Sequence, residues 1–513
     1  MTQVAISAHG KSPPFALLTK PSYVLHVEQI YTGCLAQGAY YIRSGGEAAI
    51  IDPLREVSPY LERAERDGVV VKYIFETHFH ADFVSGHVSL AKATGAPIVY
   101  GPGAETGFEA HVATDGEEFR LGECTIVALH TPGHTLESTC YLLRDEDGRD
   151  HALFSGDTLF LGDVGRPDLA QEGLALAKEE LAGMLYDSLR TKIMPLADDV
   201  LVYPAHGAGS ACGKNMSSET VGTIGGQKLS NYALRQNMTR AEFVAEVTDG
   251  LQAPPAYFPL NVKLNREGYE DIHEVLERGA AAYAPDEFER AVNATGAIVL
   301  DVRDREAFAA GHIPRSIFIG IDGSFAPWVG ALIADIHQPL MIVCEPGREE
   351  EVVTRLARVG FDQTLGYLDG GFEAWRAAGK EVDAVRVVDA ATVRRLLEGE
   401  GAELAAAPGD APAKAPWIFD VRKPAEFTAG HVERARSAPL AEINEHLSSF
   451  RESGPFVLHC QSGYRSMIAA SILKSRGIHH FRDVRGGWKA LRAGGQAQAP
   501  GQAQAPGQAQ APG

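Results

Sequence analysis

A duplication constrains this chain more than any other feature of its sequence. Leu300-Asp301-Val302-Arg303, followed by Phe308 and Gly311-His312, returns 119 residues later as Phe419-Asp420-Val421-Arg422, followed by Phe427 and Gly430-His431. Cys344, Gly347 and Gly370-Gly371 return 116 residues later as Cys460, Gly463 and Gly486-Gly487. Register kept at so many points requires two related domains. Within each copy, strand-like runs alternate with helical patterns, which predicts a parallel sheet flanked by helices. The copies are assigned to residues 261–385 and 386–493, and residues 20–260 are left for a first domain, since 513 residues exceed a single core. Residues 400–416, rich in Ala, Pro and Gly, read as a loop. Residues 494–513 repeat Gln-Ala-Gln-Ala-Pro-Gly, have nothing to bury, and read as a flexible low-complexity tail.

Charge and cysteine usage narrow the partners. A net charge of −20 argues against nucleic acid, whose phosphates demand clustered Lys and Arg, but leaves room for a small anion in a locally basic pocket. No apolar run spans a bilayer, and residues 1–20 lack the basic start and apolar core of a secretory signal. Six cysteines, Cys34, Cys124, Cys140, Cys212, Cys344 and Cys460, stand far apart without a CxxC pair. They suit a reducing cytoplasm and individual thiols rather than a disulfide framework.

In the first domain, His and Asp residues follow apolar runs. Thr77-His78-Phe79-His80-Ala81-Asp82-Phe83 comes after the run ending at Phe75, and Thr131-Pro132-Gly133-His134 after Thr125–Leu129. Ser155-Gly156-Asp157 and Tyr203-Pro204-Ala205-His206 complete the set. Strand ends that deliver imidazole and carboxylate groups to one rim suit zinc or non-haem iron. These four pieces resemble the metallo-β-lactamase superfamily, which implies an αββα sandwich with a metal at its edge. Two-metal members read His-x-His-x-Asp-His in the first motif; here Phe83 stands where a ligand to the second metal is expected.

That departure resembles the persulfide dioxygenase branch, which implies one Fe(II) per chain held by His78, His134 and Asp157, with open positions for a sulfur and O2. His80, Asp82 and His206 would then hydrogen-bond water or the ligands. Leu161-Gly162-Asp163-Val164-Gly165-Arg166-Pro167-Asp168 also resembles this branch. In it, Arg166 either grips a carboxylate of a glutathione-like thiol or forms a surface pair with an Asp. Lys228 and Asn231 are further candidates for substrate binding. Cys34 is expected on a strand as a packed thiol.

In the last domain, Phe456-Val457-Leu458-His459-Cys460-Gln461-Ser462-Gly463-Tyr464-Arg465-Ser466 reads as strand, tight loop and helix. A thiol there faces backbone N–H groups and the positive end of the helix dipole, which stabilise a thiolate or an anionic persulfide. The loop resembles that of rhodanese sulfurtransferases. This implies that Cys460 carries the sulfur, with Arg465 adding charge and Gln461, Ser462, Gly463, Tyr464 and Ser466 lining the site. Asp420, Arg422 and His431 read as scaffold. The middle copy departs: Glu349 and Glu350 replace Arg465 and Ser466, and Pro346 removes an N–H donor. Acidic neighbours raise a thiol's pKa, so this copy is expected to be catalytically degenerate, with a structural role.

As a whole the chain resembles bacterial fusions of persulfide dioxygenase with rhodanese domains. The fold class so implied is α/β multidomain: a metallo-β-lactamase αββα sandwich followed by two rhodanese-like α/β domains with parallel sheets. The implied chemistry oxidises a low-molecular-weight thiol persulfide with O2 to sulfite and thiol, while Cys460 exchanges sulfur with sulfite or thiosulfate. A homo-oligomer in the cytoplasm, without nucleic-acid or membrane partners, is expected. Two rivals stand beside it. One is a metal-dependent thiolester hydrolase resembling glyoxalase II, with an accessory sulfurtransferase; the other is a sulfur-carrying scaffold without turnover at the metal.

Overall fold

Apolar runs in the first domain form two six-stranded sheets that pack face to face. In this computed structural model, residues 25–169, 176–251, 253–397 and 417–493 are described; the segments at 400–416 and 494–513 lie outside them. The first sheet comprises β1 (His26–Thr32), β2 (Gln37–Ser44), β3 (Glu47–Ile51), β4 (Val70–Phe75), β5 (Ile98–Tyr100) and β6 (His111–Val112), in that order. The second comprises β7 (Glu118–Leu121), β8 (Cys124–His130), β9 (Thr139–Arg144), β10 (Asp150–Gly156), β11 (Leu201–Pro204) and β12 (Gly222–Thr223), in reverse order from β12 to β7.

Three apolar layers hold this arrangement. Tyr40, Ile51, Phe75, Ile126, Tyr141 and Phe154 fill the space between the sheets. Tyr41, Ile50 and Ile74 on the outer face of the first sheet meet Tyr60 and Leu90 of the helices Ser58–Asp67 and His87–Thr94. Leu142, Leu153 and Val202 on the outer face of the second meet Leu185 and Phe243 of the helices Lys178–Ser188 and Arg240–Thr248. The result is the αββα sandwich. Because its central strands are covered on both faces, they read as near-continuous apolar runs.

The duplicated region forms two five-stranded parallel sheets of identical strand order. The middle domain has β13 (Ala282–Tyr283), β14 (Ile298–Asp301), β15 (Ile317–Phe318), β16 (Leu340–Val343) and β17 (Thr364–Leu368), ordered β13-β17-β16-β14-β15. The last domain has β18 (Val387–Val388), β19 (Trp417–Asp420), β20 (Ala435–Ser437), β21 (Phe456–His459) and β22 (Phe481–Val484), ordered β18-β22-β21-β19-β20. Both cysteines of the repeat follow the central strand, β16 or β21, at the C-terminal edge where open α/β sheets place their sites. Among the described residues no helix is long and apolar enough to cross a membrane.

Arg55 joins the first domain to the middle one. Its side chain is fully buried, its guanidinium lies 4.1 Å from the Tyr269 ring centroid, and it donates to Asp362 Oδ2 (2.9 Å) and to Glu270 O (2.7 Å). Arg358 of the middle domain pairs with Glu56, and its carbonyl accepts from Val84 N at 2.7 Å. Cys34 lies between β1 and β2 in a turn, not on a strand as expected, because Gly33–Ala36 reverse the chain there. Its half-buried thiol is 3.8 Å from Arg358 Nη1.

Removing one partner of a buried ion pair leaves the other uncompensated, at a cost of about 3–5 kcal/mol. Arg55→Ala is therefore expected to split thermal unfolding, with the first and middle domains melting apart in calorimetry. A single transition at the wild-type temperature would contradict this role.

Candidate functional site

The four His/Asp segments converge at one edge of the sandwich because β4, β8, β10 and β11 end there. Donor atoms of His78, His134 and Asp157 lie within 4.8 Å of one another, and all three side chains are buried. Asp157 Oδ2 stands 3.9 Å from His78 Nε2 and 3.4 Å from His134 Nε2.

Neighbouring groups decide which ring nitrogens carry protons. Thr77 donates its N–H to Asp52 Oδ1 (2.8 Å) and its hydroxyl to Asp52 Oδ2 (2.9 Å). With that proton committed, Thr77 Oγ1 can only accept from His78 Nδ1, 2.9 Å away. His134 Nδ1 lies 2.8 Å from the carbonyl oxygen of Arg166, which is likewise only an acceptor. Both rings thus carry their proton on Nδ1 and turn an Nε2 lone pair toward Asp157. Burial, reinforced by His80, His134 and His206, holds His78 well below the usual imidazole range and so keeps it neutral.

Two lone pairs therefore face a carboxylate whose oxygens both lack a hydrogen-bond partner among the described residues. Such an arrangement is repulsive unless a cation lies among the three groups. The donor set, two imidazole nitrogens and one carboxylate, fits a single borderline metal ion.

His80, Asp82 and His206 form an adjoining group. His80 Nε2 is 3.1 Å from Asp52 Oδ1 and 3.5 Å from Glu76 Oε2. His206 Nε2 lies 3.5 Å from Asp82 Oδ1 and 3.6 Å from Asp157 Oδ1. Burial would lower His206, but the carboxylates of Asp82 and Asp157 outweigh it and hold the ring well above the usual range. The Phe83 ring, fully buried, packs 4.3 Å from His80 and 6.5 Å from His206 and forms an apolar wall beside this group.

Three expected thiol-binding residues are committed elsewhere. Arg166 turns its fork to Asp168: Nε and Nη2 each donate to it at 2.7 Å, with Arg166 buried and Asp168 half-buried. Its contribution is the carbonyl on His134. Gly165 allows this, because a Cβ there would fall 2.1 Å from Asp157 O and 2.9 Å from His134 Nδ1. Lys228 is held by Asp198 Oδ1 (2.7 Å) and Leu196 O (2.9 Å). Asn231, buried, donates to the carbonyls of Phe160 and Asp163 and accepts from Ala233 N, which braces the segment rather than a substrate.

Asp52, Asn265 and Cys212 are missing from the sequence-derived set. Asn265, on the helix Phe258–Glu267, accepts from Ser85 N and donates to His80 O and Phe83 O, each at 2.8 Å, pinning the metal loop. Cys212 sits beside His206 and Asp157, its thiol pushed up to about 12 by burial and by the carboxylates of Asp82 and Asp157. None of the three carries a local motif.

In the last domain, Cys460 follows β21 and precedes the helix Tyr464–Ser475. Gly463, at φ +106°, turns its N–H onto Cys460 Sγ (3.1 Å). Arg465 is not free: its two terminal nitrogens donate to Glu426 at 2.6 and 2.9 Å. Gln461 Oε1 lies 3.5 Å from Arg422 Nη1, and Ser466 Oγ, buried, donates to Gly463 O at 3.3 Å. Ser462 offers its carbonyl to Arg305 Nη1 (2.6 Å). Tyr464 turns away from the loop and donates to Gly320 O of the middle domain (2.7 Å), so its role is docking. Asp420 and Arg422 form a buried pair, and His431 stacks on Phe427 at 4.0 Å.

The middle copy differs at the equivalent points. Gly347 N, the counterpart of the Gly463 N–H that reaches sulfur, instead donates to Glu349 Oε1 (3.0 Å). Burial, then the charges of Glu349, Asp301 and Glu345, push the Cys344 thiol up to about 12.

Comparison with known proteins agrees with this layout. The metallo-beta-lactamase superfamily profile matches residues 32–206, and the rhodanese-like domain profile matches residues 284–378 and 401–493. The chain thus carries a metallo-β-lactamase domain followed by two rhodanese-like domains. A hydroxyacylglutathione hydrolase from Tolumonas auensis is 33% identical over 172 residues, 33% of this chain and 60% of that protein. The chain spans about three fifths of the length of the curated relatives it matches. The crystal structure of a metallo-beta-lactamase from Staphylococcus aureus covers 67% of this chain and 99% of its own at 29% identity, with a TM-score of 0.59. That of ETHE1 from Myxococcus xanthus covers 47% and 98% at 28% identity, with a TM-score of 0.40.

Asn265→Ala is expected to weaken metal binding by about 10–100-fold, the usual effect of losing a group that orients ligands. Competition with a chromophoric chelator measures it, and unchanged affinity would contradict the pinning role. Iodoacetamide labelling at about pH 9 is expected to leave Cys344 unmodified, since a thiol that titrates near 12 is under about 1% ionised there. Peptide mass spectrometry checks this, and ready labelling of Cys344 would contradict it.

Proposed function

We propose that this chain, in which a metallo-β-lactamase domain precedes two rhodanese-like domains, oxidises a low-molecular-weight thiol persulfide with O2 and water to thiol and sulfite. Cys460 then moves sulfane sulfur between sulfite or thiosulfate and a thiol. What supports the oxidation is the pair of Nδ1-protonated imidazoles, His78 and His134, whose Nε2 lone pairs meet Asp157, beside Phe83 in place of a further imidazole. Two imidazoles with one carboxylate suit a single Fe(II) per chain. When bound, that ion would supply a Lewis-acidic, redox-active centre at which sulfur and O2 can meet.

The chain's own residues prepare the site. Thr77, fixed by Asp52, and the carbonyl of Arg166 keep both rings in one tautomer. Phe83 and Phe160, fully buried near His206, line the site with apolar surface that excludes water. His206 carries a proton between Asp82 and Asp157, close enough to stabilise negative charge on either carboxylate. At the other site, the Cys460 thiolate would attack the outer sulfur of thiosulfate. The S–S bond breaks with its electron pair leaving on sulfite, and Cys460 keeps the sulfur as a persulfide; the reverse direction makes thiosulfate.

A second reading, hydrolysis of a glutathione thiolester, is favoured by the hydroxyacylglutathione hydrolases the first domain matches. Phe83 speaks against the two-metal version of it. The test is O2 uptake by anaerobically purified, Fe(II)-loaded protein on addition of glutathione persulfide or coenzyme A persulfide. Uptake with sulfite release is expected, lost by at least about 100-fold in His134→Ala; Cys460→Ser should keep the uptake but lose thiosulfate exchange. Two zinc ions per chain, with thiol released from an S-acyl glutathione and no O2 consumed, would replace this reading by the hydrolase.

A further inference from the structure

In the last domain, Arg465 and Arg422, the two arginines in contact with the cysteine loop or its helix, are both engaged. Arg465 is forked onto Glu426, and Arg422 is forked onto Asp420 and donates to Gly430 O. To a doubly charged sulfur oxyanion the loop itself offers backbone N–H groups and its helix dipole.

The middle domain supplies a further charge. Arg305 starts the helix Arg305–Ala310 and reaches across the domain boundary to donate from Nη1 to Ser462 O at 2.6 Å. Its guanidinium lies directly against the loop: a Cβ built on Gly463 would come within 3.0 Å of Nη1 and 3.6 Å of Cζ. Gly463 is also the residue whose N–H reaches Cys460 Sγ. Among the described residues Arg305 makes one hydrogen bond and no ion pair, so most of its donors remain unspent.

The contact is held from several sides. Tyr464 donates to Gly320 O, its ring fills the space beside Gly323, and Phe318 N donates to Ser471 Oγ at 3.0 Å. The buried carboxyl of Asp483 is pushed up to about 7 by burial, against which Ser466, Arg305 and the Val484 N–H act in the other direction. In the repeat, the residue 119 positions after Arg305 is Pro424, so the last domain has no equivalent arginine to offer.

We propose that Arg305 is the cationic part of the sulfur-anion site at Cys460, so that the middle domain, silent at its own cysteine, completes the site of its sister. The ligand class is a small sulfur oxyanion, thiosulfate or sulfite. The inference rests on the reading of Cys460 as the sulfur carrier.

The test compares Arg305→Met with Arg305→Lys in the full chain. One arm uses thiosulfate as donor and cyanide as acceptor; the other uses sulfite as acceptor from glutathione persulfide. In Arg305→Met, KM for the oxyanion should rise at least about tenfold, the scale of one hydrogen bond to a charged group, with kcat nearly kept. Arg305→Lys should recover most of the affinity, and the arm in which the rise occurs identifies the oxyanion. The alkylation profile of Cys460, the rate with anionic iodoacetate against that with neutral iodoacetamide, should also move away from the anionic reagent in Arg305→Met, because a cation beside the loop is lost. Ser471→Ala loosens the same interface without changing charge, so its effect on KM and on the alkylation profile should be a small fraction of that of Arg305→Met. Unchanged KM in both arms with an unchanged alkylation profile, or equal effects from Ser471→Ala, would overturn the proposal. If the wild type transfers no sulfur, the reading of Cys460 fails, and the alkylation profile still decides on Arg305.

Discussion

A carboxylate buried opposite two imidazole lone pairs sets the terms for the rest of the first domain. Asp157, His78 and His134 repel one another unless a cation joins them, and desolvation makes the conflict worse. The surroundings nevertheless preserve it. Asp52 commits the Thr77 proton, Thr77 commits His78 Nδ1, and the Arg166 carbonyl commits His134 Nδ1. Each of these partners comes from a different part of the chain, which is why two complete sheets are required to present so small a site. Asn265 extends the dependence to the helix that leads into the middle domain.

The same logic of committed protons and forks separates the two repeats. Both keep the strand, the cysteine and the glycine. In one, Gly463 N–H is aimed at sulfur; in the other, the equivalent N–H of Gly347 is captured by Glu349. A single carboxylate thus removes a donor and adds a repulsive charge at once. The middle domain also packs against both neighbours, through Arg55 and Arg358 on one side and through Tyr464 on the other.

Much of this was legible before any coordinates. The apolar runs that became β4, β8, β10 and β11 end where the His and Asp segments begin, because buried strands have a compositional signature and ligands follow strand ends. The repeat spacing anticipated two sheets of like order. Long-range partners were not legible: Asp52 and Asn265 lie 25 and 180 residues from Thr77 and Ser85, the groups they fix, and belong to no motif. The partners of Arg166, Lys228, Asn231 and Tyr464 were not legible either, for a shared reason. Residue type suggests a ligand-facing side chain, whereas the structure pairs these with Asp168, Asp198, backbone carbonyls and Gly320 O.

The central claim is that one ion joins His78, His134 and Asp157, with no second metal beside Phe83. X-ray absorption at the iron edge of anaerobically loaded protein tests it most directly. One iron per chain is expected, with scattering from two imidazoles and light oxygen ligands and no metal–metal vector. A metal–metal vector, or loading that survives the combined His78→Ala and His134→Ala substitution, would contradict it.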